Sequence, residues 1–257
     1  MQATNFIAHR GWRQHYPENT LIAFQQALAA GALNIELDIQ LSADGVPFVF
    51  HDANLQRMCG CDGLIWDLSA KELLTLNAAE ASRLGKQFAT NPMCPLSDIV
   101  SLLQNYPAAN AYVEIKAESL SQFGAAAVVD AVINTLRPVA DRCLLISFEL
   151  DALLYALHEG WERFAAVFDY WPDWQQSLLA ELNPEVIFCD KHCIPASSDL
   201  RQLPWPLLVY EVGTLQEAKD WFERGAVAIE TFLVGEMLRD FNLSPTASEL
   251  IAKASTK

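Results

Sequence analysis

A chain of 257 residues, 52% hydrophobic with 11 Gly and 12 Pro, is long enough to bury one large core and has the length of an α/β barrel, so one domain over 1–257 is expected. Its 17 Lys+Arg against 32 Asp+Glu give a formal charge of −15, which repels nucleic acid and anionic membrane surfaces, and no basic patch overrides it. Six cysteines without a ladder of paired spacings, no apolar leader and no apolar run of bilayer length point to a soluble, unprocessed, cytoplasmic protein with free thiols, monomeric or homodimeric.

Short apolar runs recur at 5–8, 33–41, 111–115, 143–147, 164–168, 186–189, 207–210 and 227–230, often followed by amphipathic stretches. One such stretch is 20–30, where Leu21, Phe24 and Leu28 have helical spacing after a possible Asn19 cap. Eight alternating units indicate parallel strands with crossover helices closed into a (β/α)8 TIM barrel. A ninth run, 46–50, follows the second strand after only Ser42-Ala43-Asp44-Gly45, and so short a turn joins antiparallel strands alone. It reads as a hairpin that returns with His51 and Asp52 near the barrel rim. The segment 53–95 is rich in loop sequence (CGCDG, NAAEAS, ATNPMCP) and reads as a small insertion after strand two, able to act as a lid. A last helical run follows Glu236, and ASELIAKASTK reads as a frayed end.

In Asn34-Ile35-Glu36-Leu37-Asp38-Ile39, alternation puts Glu36 and Asp38 on one face, about 7 Å apart along the strand. Two carboxylates directed into a barrel need a compensating cation or proton, and a hard metal ion is the economical one; exposed positions on an edge strand are the bland alternative, weakened by the apolar flanks. In Tyr112-Val113-Glu114-Ile115-Lys116 the same alternation adds Glu114, a third oxygen ligand for Mg2+ or Ca2+, and Lys116, a cation for a phosphate oxygen. For those two residues alone, a structural salt bridge is the stronger reading.

His9-Arg10-Gly11 follows the first strand, at the C-terminal rim where barrel enzymes hold their sites. Arg10 offers a planar fork for phosphate, Gly11 lets the backbone approach closely, and His9 titrates near neutrality. His9 and His51 at one rim suit general acid and base roles in cleaving a phosphodiester. His15, His158 and His192 have no such context and read as surface or packing residues. Pro17-Glu18-Asn19-Thr20 is by itself an ordinary helix start. Ser147-Phe148 and Trp171 would line the pocket mouth of such a barrel, with ordinary packing an equal reading.

In order and spacing, His9-Arg10-Gly11, Pro17-Glu18-Asn19-Thr20, Glu36-x-Asp38, Asp44-Gly45, His51-Asp52 and Glu114-Ile115-Lys116 resemble the glycerophosphodiester phosphodiesterases, most nearly their cytosolic bacterial branch. The resemblance is strongest over 7–55 and continues through Leu145-Ile146-Ser147-Phe148 and Leu208-Val209-Tyr210-Glu211-Val212. It implies that His9 and His51 act as acid and base, that Glu36, Asp38 and Glu114 hold one divalent cation, and that Arg10 and Lys116 contact phosphate. Phe148 and Tyr210 would join them around the substrate, and Glu18 would support the region of His9. The implied reaction, a step of lipid and glycerol metabolism, releases glycerol 3-phosphate and an alcohol from a small glycerophosphodiester, through a cyclic phosphate.

The departures from that pattern come late. The usual Trp/Tyr-Thr-Val-Asn of the seventh strand is Tyr210-Glu211-Val212-Gly213, and the usual Thr-Asp near the eighth is Thr231-Phe232, preceded by Glu230. Glu211 and Glu230 are expected opposite the metal residues, biasing the pocket toward a cationic head group such as choline or ethanolamine. The competing readings are a phosphodiesterase for another phosphodiester or lysophospholipid, such as a sphingomyelinase D type, and a catalytically silent barrel that binds without turnover.

Overall fold

Strands that are apolar on both faces need cover on both sides, and the eight apolar runs obtain it by closing on themselves beneath a shell of helices. In the computed structural model, which describes residues 2–175 and 177–242, the strands are β1 (Phe6–His9), β2 (Asn34–Leu41), β3 (Pro47–Val49), β4 (Cys94–Pro95), β5 (Asn110–Ile115), β6 (Cys143–Ser147), β7 (Phe164–Phe168), β8 (Val186–Asp190), β9 (Leu207–Tyr210) and β10 (Ala228–Thr231). The helices are α1 (Leu21–Ala29), α2 (Gln56–Cys59), α3 (Ala70–Leu73), α4 (Ala81–Leu84), α5 (Leu96–Asn105), α6 (Ala117–Phe123), α7 (Ala125–Leu136), α8 (Leu150–His158), α9 (Ser177–Leu182), α10 (Leu215–Glu223) and α11 (Val234–Asn242). β1, β2 and β5 to β10 pair in parallel around a ring, and β1 pairs with both β2 and β10, which closes it. This is the expected (β/α)8 barrel.

Alternation along each strand separates two cores. Ile35, Leu37, Ile39, Val113 and Ile115 face outward and pack under the helices. α7 meets that layer with Val128, Val129, Val132, Ile133 and Leu136, all buried and at helical spacing. Ile7, Leu144, Ile146, Ala165, Val167, Val186, Phe188, Leu208 and Ala228 fill the lumen, so the barrel is solid beneath its mouth. Among the described residues, no single helix is long and apolar enough to cross a membrane.

The hairpin forms as expected, with β3 antiparallel to β2 and Ile39 opposite Val49. β4 then pairs with β3, so the segment between them leaves and rejoins the same edge. That segment is more ordered than loop-rich sequence suggests. It holds α2, α3 and α4 around a satellite core of Phe48, Phe50, Leu55, Met58, Ile65, Leu73, Ala78 and Met93. Helices of four residues are too short for a 3.6-residue period to show. None of residues 53–95 lines the cavity at the barrel mouth; the insertion buttresses the rim instead of covering it. The expected last helical run is α11, whereas the expected frayed end lies outside the described residues.

Candidate active site

The carboxylates come together because the register of β1, β2 and β5 sets them side by side. His9 on β1 is level with Glu36 on β2, and Asp38 on β2 is level with Glu114 on β5. After His9 the chain turns sharply, with Arg10 at φ 57° and Gly11 at φ 81°. A Cβ on Gly11 would lie 2.7 Å from that of Ala23, so only glycine allows α1 to pack this close. The turn directs the Arg10 backbone N–H to Glu36 Oε2 (3.1 Å) and its guanidinium to Glu18 Oε1 (3.0 Å) and Asp38 Oδ2 (3.1 Å).

Three buried carboxylates in this setting carry unequal charge. Burial alone would raise Asp38, but Arg10 beside it and Lys116 Nζ at 3.4 Å hold it well below the usual carboxylate range. Glu114 is raised by burial and by Asp38, although Lys116 donates to it at 2.7 Å. Glu36 is raised well above the ordinary range, by burial and then by the charges of Asp38, Glu230 and Glu114. Its Oε1 has no hydrogen-bond partner. Oxygens of Glu36, Asp38 and Glu114 all lie within 4.8 Å of one another. A hard divalent cation fits this donor set, since it would take the unpartnered oxygen and relieve the repulsion together.

Each rim histidine is fixed through Nδ1 by a carboxylate. His51 bonds Asp52 Oδ1 at 2.7 Å, and Asp52 is gripped by Arg57 at 2.7 and 2.9 Å. Burial would raise Asp52, but its bonds to His51 and Arg57 prevail and lower it. His9 bonds Glu211 Oε2 at 2.7 Å and stacks on Phe232 at 4.4 Å between ring centroids. Burial lowers its pKa in spite of that hydrogen bond.

A cavity of about 160 Å³ opens among these groups. His9, Arg10, Glu36, His51, Glu114, Lys116 and Glu230 form one wall, and Ile146, Phe148, Val167, Phe188 and Tyr210 form the other. Among the residues singled out from sequence, Phe148 and Tyr210 line the cavity as expected, while Glu18 stands behind it. Glu18 is 1% exposed and accepts hydrogen bonds from Arg10, Arg13 and Arg57. It does not line the cavity and reaches it only through Arg10, which does. Trp171 packs against Trp174 and the outer core, away from the cavity. His15 pairs with Glu236 at the surface and His158 lies near Glu181, so neither joins the site.

Two further placements differ from expectation. Glu211 and Glu230 lie beside His9 and Glu36, not opposite them, because β10 closes against β1 with Glu230 level with Ile7. Both Glu211 oxygens have partners, His9 and the Phe232 N–H (2.8 Å). Asn19 is not a cap: Thr20 takes that position, and the Asn19 amide donates to Asp38 Oδ2 at 2.7 Å from a left-handed backbone. An asparagine in that conformation could have been suspected from its place in a turn. Nothing local marks Arg13 and Arg57, whose partner Glu18 becomes adjacent to Arg57 only once the insertion folds.

The chain matches the model of the family described as glycerophosphoryl diester phosphodiesterase over residues 9–159. It is 34% identical over 150 residues to a glycerophosphodiester phosphodiesterase of Bacillus altitudinis, a stretch covering 58% of this chain and 60% of that one. It is 37% identical over 100 residues to glycerophosphodiester phosphodiesterase 1 of Bos taurus, covering 39% of this chain and 30% of that one. The matched stretches thus span less than two thirds of these relatives. An Oleispira antarctica phosphodiesterase solved with its product sn-glycerol-3-phosphate superposes with a TM-score of 0.81 at 23% identity, covering 92% of this chain and 96% of that one. A glycerophosphodiester phosphodiesterase from Agrobacterium tumefaciens gives 0.72 at 25% identity, with 92% and 99% covered.

Proposed function

The chain belongs to the glycerophosphoryl diester phosphodiesterase family, and from that membership we propose that it hydrolyses small glycerophosphodiesters to glycerol 3-phosphate and an alcohol. One observation carries the reading: two histidines, each held at Nδ1 by a carboxylate, face one cavity in which Arg10, Lys116 and three carboxylates converge.

Arg10 and Lys116 bind the phosphodiester by its non-bridging oxygens, Arg10 through the fork that Glu18 keeps aimed. Glu36, Asp38 and Glu114 would hold a divalent cation, Mg2+ or Ca2+, which supplies charge neutralisation to the same phosphate oxygens when bound. One histidine takes the proton of the glycerol 2-hydroxyl as that oxygen bonds to phosphorus, and the other gives a proton to the alkoxide as the phosphorus–oxygen bond to the alcohol breaks. The cyclic phosphate is then opened by water with the two roles exchanged, leaving glycerol 3-phosphate. Residues 1–257 are read as one barrel domain carrying the insertion. Six free cysteines support a reducing compartment, the cytoplasm, as the setting.

The test is release of glycerol 3-phosphate from a panel of glycerophosphodiesters, with Mg2+ or Ca2+ and with EDTA. Release that needs the cation and disappears in His51→Ala is the expected result. No release from any member of the panel under any of these cations overturns the reading.

A further inference from the structure

An imidazole that exchanges protons with substrate must present one chosen nitrogen, and a free histidine side chain can rotate its ring and move its proton between Nδ1 and Nε2. In this barrel His9 has neither freedom. Glu211, one residue beyond β9, sets its Oε2 2.7 Å from His9 Nδ1. The other acid close to Nδ1 is Glu230, with Oε2 at 3.8 Å. Nδ1 thus faces carboxyl oxygens, the nearest of them within hydrogen-bond distance, while Nε2 is turned into the cavity, 3.9 Å from Glu36 Oε2.

The carboxylate is itself held. Its Oε1 accepts the Phe232 backbone N–H at 2.8 Å, which ties the end of β9 to the end of β10. The ring of that same Phe232 lies nearly parallel to His9, 18° between planes, with the Arg13 guanidinium 4.2 Å above the phenyl ring. The imidazole is therefore fixed in its plane by a carboxylate and across its plane by an aromatic face. His51 gets the equivalent support from Asp52, its neighbour in sequence, whereas the partner of His9 lies 202 residues away and is delivered by closure of the barrel.

We propose that Glu211 is a positioning residue for His9: it fixes the tautomer with hydrogen on Nδ1 and the plane of the ring, so that Nε2 is the nitrogen offered to substrate. The proposal rests on the reading of His9 as one of the acid–base pair, and it extends that reading to a residue beyond 9–159, the stretch that the family model matches.

The experiment uses the Mg2+-loaded enzyme labelled with 15N-histidine, with long-range 1H–15N correlation spectra and steady-state kinetics on whichever glycerophosphodiester of the panel is turned over. The native enzyme should show His9 with hydrogen on Nδ1. In Glu211→Ala that pattern should give way to the Nε2–H form, with kcat down about 10- to 100-fold, the range for loss of a partner that orients a histidine, and KM little changed. Glu211→Gln has one acceptor oxygen for the two N–H groups that the carboxylate serves, so it should restore the Nδ1–H pattern and the rate only in part. Unaltered His51 signals would show that the variants are folded. Native tautomer and native kcat in Glu211→Ala overturn the proposal. So does a loss that appears wholly in KM, which would make Glu211 a substrate contact. Full activity in His9→Ala would instead sink the two-histidine reading, and the two failures are distinct because the first leaves His9→Ala inactive.

Discussion

The two walls of the cavity come from the same strand geometry and hold themselves in opposite ways. β6, β7 and β8 send Ile146, Val167 and Phe188 inward, where they continue the packing of the lumen. Each is stabilised by the burial it achieves, about 1.5–3 kcal/mol for a fully buried side chain of this size. β1, β2 and β5 send in the half-buried His9 and the buried Glu36, Asp38 and Glu114, groups whose desolvation opposes folding. That wall is held by residues brought from outside the barrel: Asn19 on Asp38, Glu18 on three arginines, Arg57 on Asp52, Glu211 on His9. The apolar wall needs only its own strands, and the charged wall needs its loops. Polarity that folding alone would not favour therefore marks the place where the proposed chemistry would occur.

The comparison breaks most sharply if the charged wall proves dispensable. Glu36→Ala should lower kcat by at least about a thousandfold, the several kcal/mol that a bound cation contributes to a phosphoryl transition state, and EDTA should do the same to the native enzyme until Mg2+ or Ca2+ is restored. Glycerol 3-phosphate release measures both; turnover unaffected by EDTA would remove the cation from the reading. His51→Ala comes next, with kcat reduced about 10²- to 10⁴-fold. A loss of less than tenfold would mean that water substitutes for His51 and that its bond to Asp52 serves only the fold.

The division between the walls was partly legible in sequence. Period-two alternation sufficed to place Glu36, Asp38, Glu114 and Lys116 inside, because a buried strand has one geometry and the signal lies within six or eight residues. The hairpin was legible for a similar reason, since four turn residues permit one connection. What could not be read were the supports. Arg57 is 39 residues from Glu18 and Glu211 is 202 from His9, separations over which no period carries information. The closed ring expected from eight alternating units already returns its last strand beside the first, so a place for Glu211 and Glu230 opposite the metal residues does not follow from the barrel. Asn19 passed for a cap because its residue type suits a helix start, whereas its side chain is claimed by a carboxylate that only the folded barrel brings near.

Glu18 sharpens the comparison through stability. Burial would raise its pKa, but the charges of Arg10 and Arg57 prevail and bring it from the usual 4.5 down to about 2. A carboxylate whose folded pKa is depressed adds stability that is complete above its unfolded pKa and is lost as pH falls through the folded one. Glu18 should therefore contribute about 3 kcal/mol at neutral pH, lost progressively between about pH 5 and pH 2. Glu18→Gln should be less stable than native by about that amount at pH 7, and the gap should narrow toward pH 3 in equilibrium urea unfolding. A gap that does not change with pH would show that Glu18 acts by its shape and not by its charge.

The smallest effect belongs to the edge of the apolar wall. Phe148 lines the cavity yet is 38% exposed, so little of the fold depends on it, and Phe148→Ala should change stability by no more than about 0.5 kcal/mol. On the proposed reaction it would contact what enters the cavity and not the atoms that react. Losing part of its apolar contact with the organic portion of the substrate should weaken ground state and transition state alike by about 1 kcal/mol, which is a roughly fivefold rise in KM at unchanged kcat. The rise should be steeper for glycerophosphodiesters with larger alcohols, since these reach further along the rim. If kcat fell while KM held, Phe148 would be acting on the reacting groups, and the separation of a charged wall that performs chemistry from an apolar wall that shapes the substrate would not hold at this position.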